Sequence, residues 1–295
     1  MLTVVGGRYG VFVDGNVLEA SLRGRMKHRS PQQVLVGDMV ELVQADDGSA
    51  TIGRILPRRT VLKRRMPGRR RGIRNVAANV DQIMVVGSAA RPPWDPSLID
   101  RFVVVAEANS LPCVVVVNKS DLAEDAVAQI APYRAAGYAT ITTSAKDGRG
   151  IDELRAALAN RVSLFTGPTG VGKSSLANAV EPGLELRTGE VSEKSGSGRH
   201  TTVAAEMHPL TGGGFIVDTP GLRDIGLWGM EPGEVVQAFP DLGEYAANCR
   251  FANCRHLQEP NCAVVEAVKA GSLAESRVES YRRLLAEAAE AARQY

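Results

Sequence analysis

The chain has 295 residues, which exceeds what one compact core accommodates and predicts two or three domains. No apolar run reaches the ~18 to 20 residues that span a bilayer, and the first residues lack the basic-then-apolar order of a signal peptide, so we expect a cytoplasmic location. The net charge of +2 conceals an asymmetry, because residues 1–75 hold 15 Lys and Arg against 6 Asp and Glu. This surplus of +9 leaves −7 on the other 220 residues and predicts that one end of the chain meets a polyanion.

The N-terminal part alternates short apolar runs with turn residues such as Asp14-Gly15 and Asp47-Gly48. Several short strands at this spacing predict a small β-barrel, of either the five-stranded oligonucleotide-binding (OB) type or the SH3-like type. Residues 58–75 follow, and their high content of Arg, Gly and Pro predicts an exposed basic linker. Residues 1–72 are therefore predicted to form a basic, OB-fold-like barrel with its linker.

From Val80 onward, apolar strands alternate with helical segments. This alternation predicts an α/β domain over residues 73–230, with a parallel sheet covered by helices on both faces. Beyond about residue 230 the pattern changes to a Cys/His cluster and a helix-rich tail, which predicts a separate helical domain over residues 231–295. Apolar residues at near-helical spacing predict packing within this tail: Leu273, Val278, Tyr281, Leu284 and Leu285.

Residues 167–174, GPTGVGKS, match the phosphate-binding loop (P-loop) at every position and stand between an apolar strand and a helix. The glycines let backbone N–H groups converge on phosphates, Lys173 would reach the β and γ phosphates, and Ser174 can ligate magnesium. The alternative, a glycine-rich turn that binds nothing, is disfavoured by the full match in this setting. The residues predicted to contact the phosphates are Gly167, Pro168, Thr169, Gly170, Val171, Gly172, Lys173, Ser174 and Ser175.

The tetrapeptide NKSD at residues 118–121 follows another apolar strand. Asp121 can accept two hydrogen bonds from guanine that adenine cannot supply, Lys119 would lie along the base plane, and Asn118 would tie this loop to the phosphate loop. Alone, NKSD could equally be a solvated turn. Paired with TSAK at residues 143–146, whose backbone N–H groups would face guanine O6, it predicts a guanine site. The contacts predicted from TSAK are Ser144, Ala145 and Lys146.

The segment DTPG ends a further predicted strand. Asp218 would hold magnesium through water, and the N–H of Gly221 would sense the γ-phosphate. Residues 192–202 are rich in Gly and Ser, a composition typical of a mobile switch, in which either Thr201 or Thr202 would contact magnesium and the γ-phosphate.

The motif order NKSD, TSAK, GPTGVGKS, HTT and DTPG resembles that of the circularly permuted GTPases, because the base-reading half precedes the phosphate-binding half. With the basic barrel before it and the Cys/His cluster after it, nearly the whole chain resembles the ribosome small subunit-dependent GTPase A family, whose members help to complete bacterial small ribosomal subunits. The resemblance implies a GTP hydrolase that uses Mg²⁺, binds GTP and GDP, and is stimulated by the small ribosomal subunit and its rRNA. We expect a monomer, since nothing in the sequence indicates an obligate dimer.

The motifs do not identify the group that positions the attacking water. Many small GTPases carry a water-orienting Gln directly after the DxxG glycine, and here that position is Leu222. We therefore expect slow hydrolysis in isolation. His200 is a candidate for positioning the water, and an ordinary exposed loop histidine is the alternative. Two rival functions stay open. One is a GTPase that acts on other RNA, in translation or as an RNA chaperone, and the other is a nucleotide-gated RNA-binding module with incidental hydrolysis, which Leu222 leaves open.

The cysteines and one histidine of the C-terminal part read C-x4-C-x-H-x5-C. Three thiolates and an imidazole suit a tetrahedral zinc ion with no open position and hence a structural role. Reduced thiols that lie close by chance are the alternative, although the family has the same arrangement. The predicted ligands are Cys249, Cys254, His256 and Cys262, whereas Cys113 stands in an apolar run and is predicted to be a buried strand residue without a role.

Two basic runs lie on or beside the predicted barrel, at residues 23–29 and 58–74. A charge run is often only a solvated face, but this density exceeds what solubility requires and predicts contact with an RNA backbone. The resemblance implies that this RNA is small-subunit rRNA. The residues predicted to bind it are Arg23, Arg25, Lys27, Arg58, Arg64, Arg65, Arg70 and Arg71.

Overall fold

The computed structural model describes residues 1–22, 33–65, 73–186, 205–219 and 230–293. The strands in these ranges are β1 (Thr3–Val5), β2 (Arg8–Val13), β3 (Asn16–Leu22), β4 (Val40–Gln44), β5 (Ala50–Ile55), β6 (Val61–Arg65), β7 (Ile73–Ala78), β8 (Gln82–Ser88), β9 (Cys113–Asn118), β10 (Ala139–Thr142), β11 (Val162–Thr166), β12 (Glu206–Pro209) and β13 (Phe215–Asp218). The α-helices are α1 (Pro96–Ala108), α2 (Ala126–Ala135), α3 (Ile151–Leu158), α4 (Lys173–Val180), α5 (Pro232–Val235), α6 (Pro240–Ala246), α7 (Ala263–Lys269) and α8 (Glu275–Arg293). No helix in these ranges is long and apolar enough to cross a membrane.

The central sheet has the spatial order β10-β9-β8-β11-β13, and all neighbours in this part are parallel. Because successive strand side chains point to opposite faces, each strand contributes to two cores. Val85 of β8 and Val115 of β9 pack in one cluster with residues of α1 and α2, while Val86 and Val116 pack in another with residues of α3 and α4. The predicted parallel sheet with helices on both faces is confirmed.

The order of the strands in the sheet differs from their order in the chain, because β11 lies between β8 and β13 although it follows β8, β9 and β10 in the chain. Parallel strands place their carboxyl ends at one edge of the sheet. NKSD begins at the end of β9, TSAK follows β10, the phosphate loop follows β11, and Asp218 ends β13. The motifs that are scattered along the chain therefore meet at one edge.

The N-terminal strands have the order β1-β2-β3-β5-β4, in which β3 runs parallel to β5 and the other neighbours are antiparallel. A meander followed by this crossover is a Greek-key path, which favours the OB type of the two predicted barrels. Tyr9, Val11 and Ile52 are buried in its core. The barrel is continuous with the central sheet, because Thr3 of β1 pairs with Glu206 of β12.

The described part of the predicted exposed linker, residues 58–65 and 73–75, contains a paired and partly buried β-structure. Strands β6 and β7 pair as an antiparallel two-stranded sheet, and Leu62 is fully buried in the main core. A charged strand can still bury one face, because only alternate side chains point the same way. This pairing joins residues on both sides of the predicted domain boundary at residue 72, and that boundary stays a prediction.

The C-terminal helices form a separate core that also contacts α1 through Val104. All the apolar residues predicted to pack in this tail are buried: Leu273, Val278, Tyr281, Leu284 and Leu285. Arg277 of α8 is buried among them, where its guanidinium bonds to Asp100 of α1 and donates two 2.9 Å hydrogen bonds to Asp241 of α6. A buried ion-pair cluster thus joins the C-terminal helices to the α/β part of the chain.

Candidate nucleotide and metal sites

The phosphate loop requires glycine at positions where the chain passes close to other strands. Gly167 has a φ of +133°, and a Cβ added there would lie 2.0 Å from the Val86 carbonyl oxygen. Gly172 has a φ of +95°, and its added Cβ would lie 2.4 Å from Asn118 Nδ2. Helix α4 begins directly afterwards at Lys173, so its N-terminus points its free N–H groups at the loop, as anion binding requires.

Lys173 is the first residue of α4, and its ammonium bends back over the loop. Nζ donates to the carbonyl oxygens of Gly167 at 2.7 Å and Pro168 at 2.6 Å. The ammonium charge is therefore held on the loop where the phosphates are predicted to bind.

Asn118 connects the base-reading loop to the other two motifs. Its Nδ2 donates to the Val171 carbonyl oxygen at 2.9 Å, and its Oδ1 accepts from the Ala145 N–H at 3.2 Å. The side chain is buried, so both bonds are shielded from water. The tie between NKSD and the phosphate loop that the sequence predicts is present.

The Asp121 carboxylate is oriented by the TSAK loop. Ser144, which is fully buried, donates its hydroxyl to Asp121 Oδ1 at 2.9 Å, and Lys146 Nζ lies 3.9 Å from Oδ2. Lys119 has a left-handed backbone, and its Nζ donates to the Gly170 carbonyl oxygen at 2.7 Å and to that of Arg91. A carboxylate and a lysine stem in fixed positions are what a guanine-reading loop requires.

The residues near the predicted magnesium position supply hard oxygen donors. Ser174 lies in the first turn of α4, and Asp218 pairs in register with Phe165, on the strand that leads into the phosphate loop. The hydroxyl of Thr219 is buried beside Asp218 and has no hydrogen-bond partner among the described residues. Hydroxyl and carboxylate oxygens suit magnesium, so these residues fit the ion. Several predicted switch residues lie outside the described residues: His200, Thr201, Thr202, Gly221 and Leu222.

The predicted metal ligands converge. The sulfur and nitrogen atoms of Cys249, Cys254, His256 and Cys262 all lie within 4.8 Å of one another. His256 Nδ1 is 3.5 Å from the sulfurs of Cys249 and Cys262, and these two sulfurs are 3.9 Å apart. Zinc–sulfur bonds of about 2.3 Å in a tetrahedron place two sulfurs roughly 3.8 Å apart, so the donor set fits one zinc ion.

Glu259 organises the loop that carries His256. Its carboxylate accepts N–H bonds from Arg255 at 2.9 Å, Leu257 at 2.8 Å and Gln258 at 3.1 Å. Desolvation alone would raise the pKa of Glu259, but the backbone hydrogen bonds outweigh it and lower the pKa to about 2. The carboxylate is therefore ionised at neutral pH, with its charge directed into this loop.

Arg58, one of the predicted RNA contacts, has partners within the protein. Its guanidinium forms a two-bond ion pair with the fully buried carboxylate of Asp38, at 2.7 and 2.9 Å, and also donates to the Gln33 carbonyl oxygen. Because leaving Asp38 buried and unpaired would be costly, this ion pair competes with any contact between Arg58 and an RNA phosphate, and the RNA contact of Arg58 stays a prediction. Of the other predicted RNA-binding residues, Arg64 and Arg65 belong to β6. The rest lie outside the described residues: Arg23, Arg25, Lys27, Arg70 and Arg71.

Sequence reasoning missed two elements that the structure brings to these sites. Arg277 lies four residues from both Leu273 and Tyr281, so its helical spacing could have marked it as a charge on a buried face. The carbonyl of Arg91 contacts Lys119, but nothing in the local sequence indicates this contact. Cys113 is buried in β9 as predicted.

A phosphate loop and a guanine-reading loop at one edge of a parallel sheet, with the base-reading half earlier in the chain, define a circularly permuted P-loop GTPase. The family model described as RsgA GTPase matches residues 55–228. The chain belongs to the RsgA GTPase family, and it is a GTP hydrolase.

Relatives and solved structures agree with this assignment. The chain is 49% identical to a protein of Gemmatimonas aurantiaca named small ribosomal subunit biogenesis GTPase RsgA, over 95% of this chain and 93% of the relative. It is 43% identical to a protein of the same name from Moorella thermoacetica, over 97% and 96% of the two chains. Among solved structures, it is similar to YjeQ from Thermotoga maritima, with a TM-score of 0.78, 34% identity, and coverage of 98% and 97%. It is also similar to YloQ, a circularly permuted GTPase, with a TM-score of 0.75, 30% identity, and coverage of 98% and 93%.

Proposed function

We propose that the chain binds the small ribosomal subunit, assists its late maturation, and hydrolyses GTP to GDP and phosphate when docked. The observation that carries this proposal is the Asn118-centred guanine site in a chain 49% identical to a relative named for small-subunit biogenesis. The protein acts as a monomer in the cytoplasm, where ribosomal subunits are assembled. Its parts are the barrel at 1–72, the GTPase domain at 73–230 and the zinc domain at 231–295.

Within the guanine site, Asp121 accepts from the N1 and N2 groups of the base, and the backbone N–H groups of the TSAK loop face O6. Lys173 stabilises the negative charge that develops between the β and γ phosphates. Ser174 and Asp218 hold magnesium, which when bound offsets phosphate charge. The predicted switch residues act on the γ-phosphate side: Thr201 or Thr202 as magnesium ligand, Gly221 as γ-phosphate contact and His200 as the group that positions water.

RNA binding is carried by the predicted basic residues, of which Arg58 is also paired with Asp38: Arg23, Arg25, Lys27, Arg58, Arg64, Arg65, Arg70 and Arg71. Charge contacts with the RNA backbone release counterions, so docking weakens steeply as salt rises. Docking also completes the positioning of the attacking water. Leu222 cannot position it, because a leucine has no group that orients water by hydrogen bonding.

Small ribosomal subunits are expected to stimulate GTP turnover by about a hundredfold, which corresponds to a barrier lowered by about 2.7 kcal/mol. The measurement is phosphate release by the purified protein alone, with small subunits, and with large subunits or bulk RNA as controls. Lys173→Ala should abolish turnover in every mixture, whereas Lys269→Ala, an exposed lysine of α7, should leave the stimulation unchanged. Equal turnover of the unchanged protein in all mixtures would show that docking on the small subunit is not its function.

The Cys/His cluster is proposed to hold one structural zinc ion, with His256 bound through Nδ1. Replacing Glu259 with alanine is expected to weaken zinc binding about tenfold, because groups that orient ligand loops contribute to metal affinity on that scale. Competition with a chromogenic chelator measures this affinity. Glu266→Ala, which removes an exposed carboxylate paired with Lys269, is the matched control and should have no effect. Equal zinc affinities for the Glu259 variant and the unchanged protein would contradict the role given to Glu259.

A further inference from the structure

The Lys119 ammonium is held from two sides. One acceptor is the Gly170 carbonyl oxygen of the phosphate loop, at 2.7 Å, and the other is the carbonyl oxygen of Arg91. Arg91 belongs to residues 89–95, which connect β8 to α1 and are named here the Trp94 segment. An ammonium group has three donors, and here two of them have fixed acceptors, so the path of the Lys119 stem depends on where the Trp94 segment lies.

The Trp94 segment is anchored at both ends. At its start, the Ala89 N–H donates to the Asn118 carbonyl oxygen at 2.8 Å, directly beside Lys119. At its end, Asp95 Oδ1 caps helix α1 by accepting from the Ser97 N–H at 3.0 Å. The position of the Arg91 carbonyl therefore depends on how the residues between these two anchors pack.

Trp94 supplies that packing. Its ring covers Gly87 of β8 so closely that a Cβ added to Gly87 would lie 2.3 Å from the indole. The same ring meets Tyr133 of α2 edge to face, with ring centroids 6.0 Å apart and an interplanar angle of 79°. Such aromatic pairs contribute beyond the area they bury, so Trp94 has one favoured position.

Tyr133 also contacts the C-terminal helices. It is almost fully buried, and the guanidinium carbon of Arg277 lies 5.3 Å from its ring centroid. Arg277 belongs to α8, so a single tyrosine contacts both the Trp94 segment and the zinc-bearing part of the chain. Arg277 contacts Tyr133 and Tyr133 contacts Trp94, and the backbone of the Trp94 segment joins Trp94 to the Arg91 carbonyl that accepts from Lys119.

We propose that Trp94 is a positioning residue for guanine-nucleotide binding, which holds the Arg91 carbonyl against Lys119, and that Tyr133 links this position to the docking of the C-terminal helices through Arg277. The inference rests on the guanine site of the proposed function. Linkage makes the effect reciprocal: if docking of α8 strengthens nucleotide binding, bound nucleotide stabilises that docking by the same factor.

The first test is a double-mutant cycle on the affinity for GDP. Trp94→Ala and Lys119→Ala are each expected to weaken GDP binding about tenfold, and the double variant should bind no more weakly than Lys119→Ala alone. Losses that multiply to about a hundredfold would mean that Trp94 acts on binding independently of Lys119, and that result would overturn the inference while leaving the guanine site intact. Unchanged affinity in Lys119→Ala would instead remove the proposed site itself. If the alanine variant folds poorly, Trp94→Phe replaces it in the cycle. This variant keeps an aromatic ring and should show the same pattern with a smaller loss.

The second test compares two contacts of α8, one with Tyr133 of α2 and one with Arg101 of α1. Arg277→Lys disturbs the contact with Tyr133, whereas Glu287→Gln breaks the 2.5 Å ion pair with Arg101 and leaves Tyr133 untouched. Arg277→Lys is expected to weaken GDP binding about fivefold, and this loss should disappear in the Trp94→Ala background. Glu287→Gln should leave GDP affinity unchanged. Equal losses in the two single variants, or an Arg277→Lys loss that persists without Trp94, would overturn the link to the C-terminal helices.

Discussion

Replacing Arg277 with methionine is expected to lower the free energy of unfolding by about 3–5 kcal/mol, because it leaves buried carboxylates without their counter-charge. Asp100 is fully buried, and Asp241 is nearly so. Methionine keeps an unbranched apolar chain against Phe239, whose ring centroid lies 4.6 Å from the Arg277 guanidinium carbon, so the loss reports charge more than volume. Thermal and urea unfolding followed by circular dichroism measure the effect.

The pH dependence of the stability of the Arg277→Met variant gives a second measure of the lost counter-charge. Burial raises the pKa of Asp100 to about 6, against the opposing pull of Arg277, and removal of Arg277 raises this pKa further. A folded-state pKa above the unfolded value means that the folded protein binds the Asp100 proton more tightly than the unfolded chain does. The difference in the free energy of unfolding between the unchanged protein and the Arg277→Met variant should therefore grow as pH rises through 6 and shrink below it. Lys269→Met, which breaks the exposed pair with Glu266, is the control and should change stability by less than about 1 kcal/mol at any pH. A deficit equal to that of the control would contradict the structural role of Arg277.

Replacing Asp121 with asparagine is expected to weaken GTP binding by about a hundredfold or more and to favour xanthosine nucleotides in its place. In the proposed guanine site the carboxylate accepts from two guanine N–H groups, and an amide can accept only one of these while presenting a donor to the other. Xanthine carries a carbonyl where guanine carries the amino group, so the new amide donor meets an acceptor. The hydrogen bond from Ser144 to Oδ1, 2.9 Å long, can persist with asparagine and keep the side chain in place.

Competition of GTP and XTP against a fluorescent guanine nucleotide measures this change in base preference. Asp147→Asn is the matched control, because Asp147 is an exposed carboxylate of the neighbouring loop and pairs with Arg149 at 3.2 Å. The control should retain the preference for GTP. Loss of both nucleotides without any gain for XTP in the Asp121 variant would mean that this carboxylate does not read the base.

Much of the fold could be predicted from the sequence because its signals are local. A P-loop needs eight consecutive residues, and the strands around it carry their own apolar patterns, so residues 167–174 indicated both the loop and its setting. The prediction of an exposed linker, which is wrong at Leu62, failed because burial there depends on residues that are distant in the chain. There the composition suggested an exposed segment, yet Leu62 is buried by strands and helices that are distant in the chain.

The sequence by itself determined which chemical groups the protein has and in what order: the phosphate loop, NKSD ahead of it, and a Cys/His set spaced for a metal. The tertiary structure decided which charges are used internally. Arg58 pairs with Asp38 across 20 positions, and Arg277 pairs with Asp100 across 177. The physical reason is that ion pairs and aromatic contacts depend on distance in space, and residues far apart in the chain become neighbours only once the sheet and helices have packed.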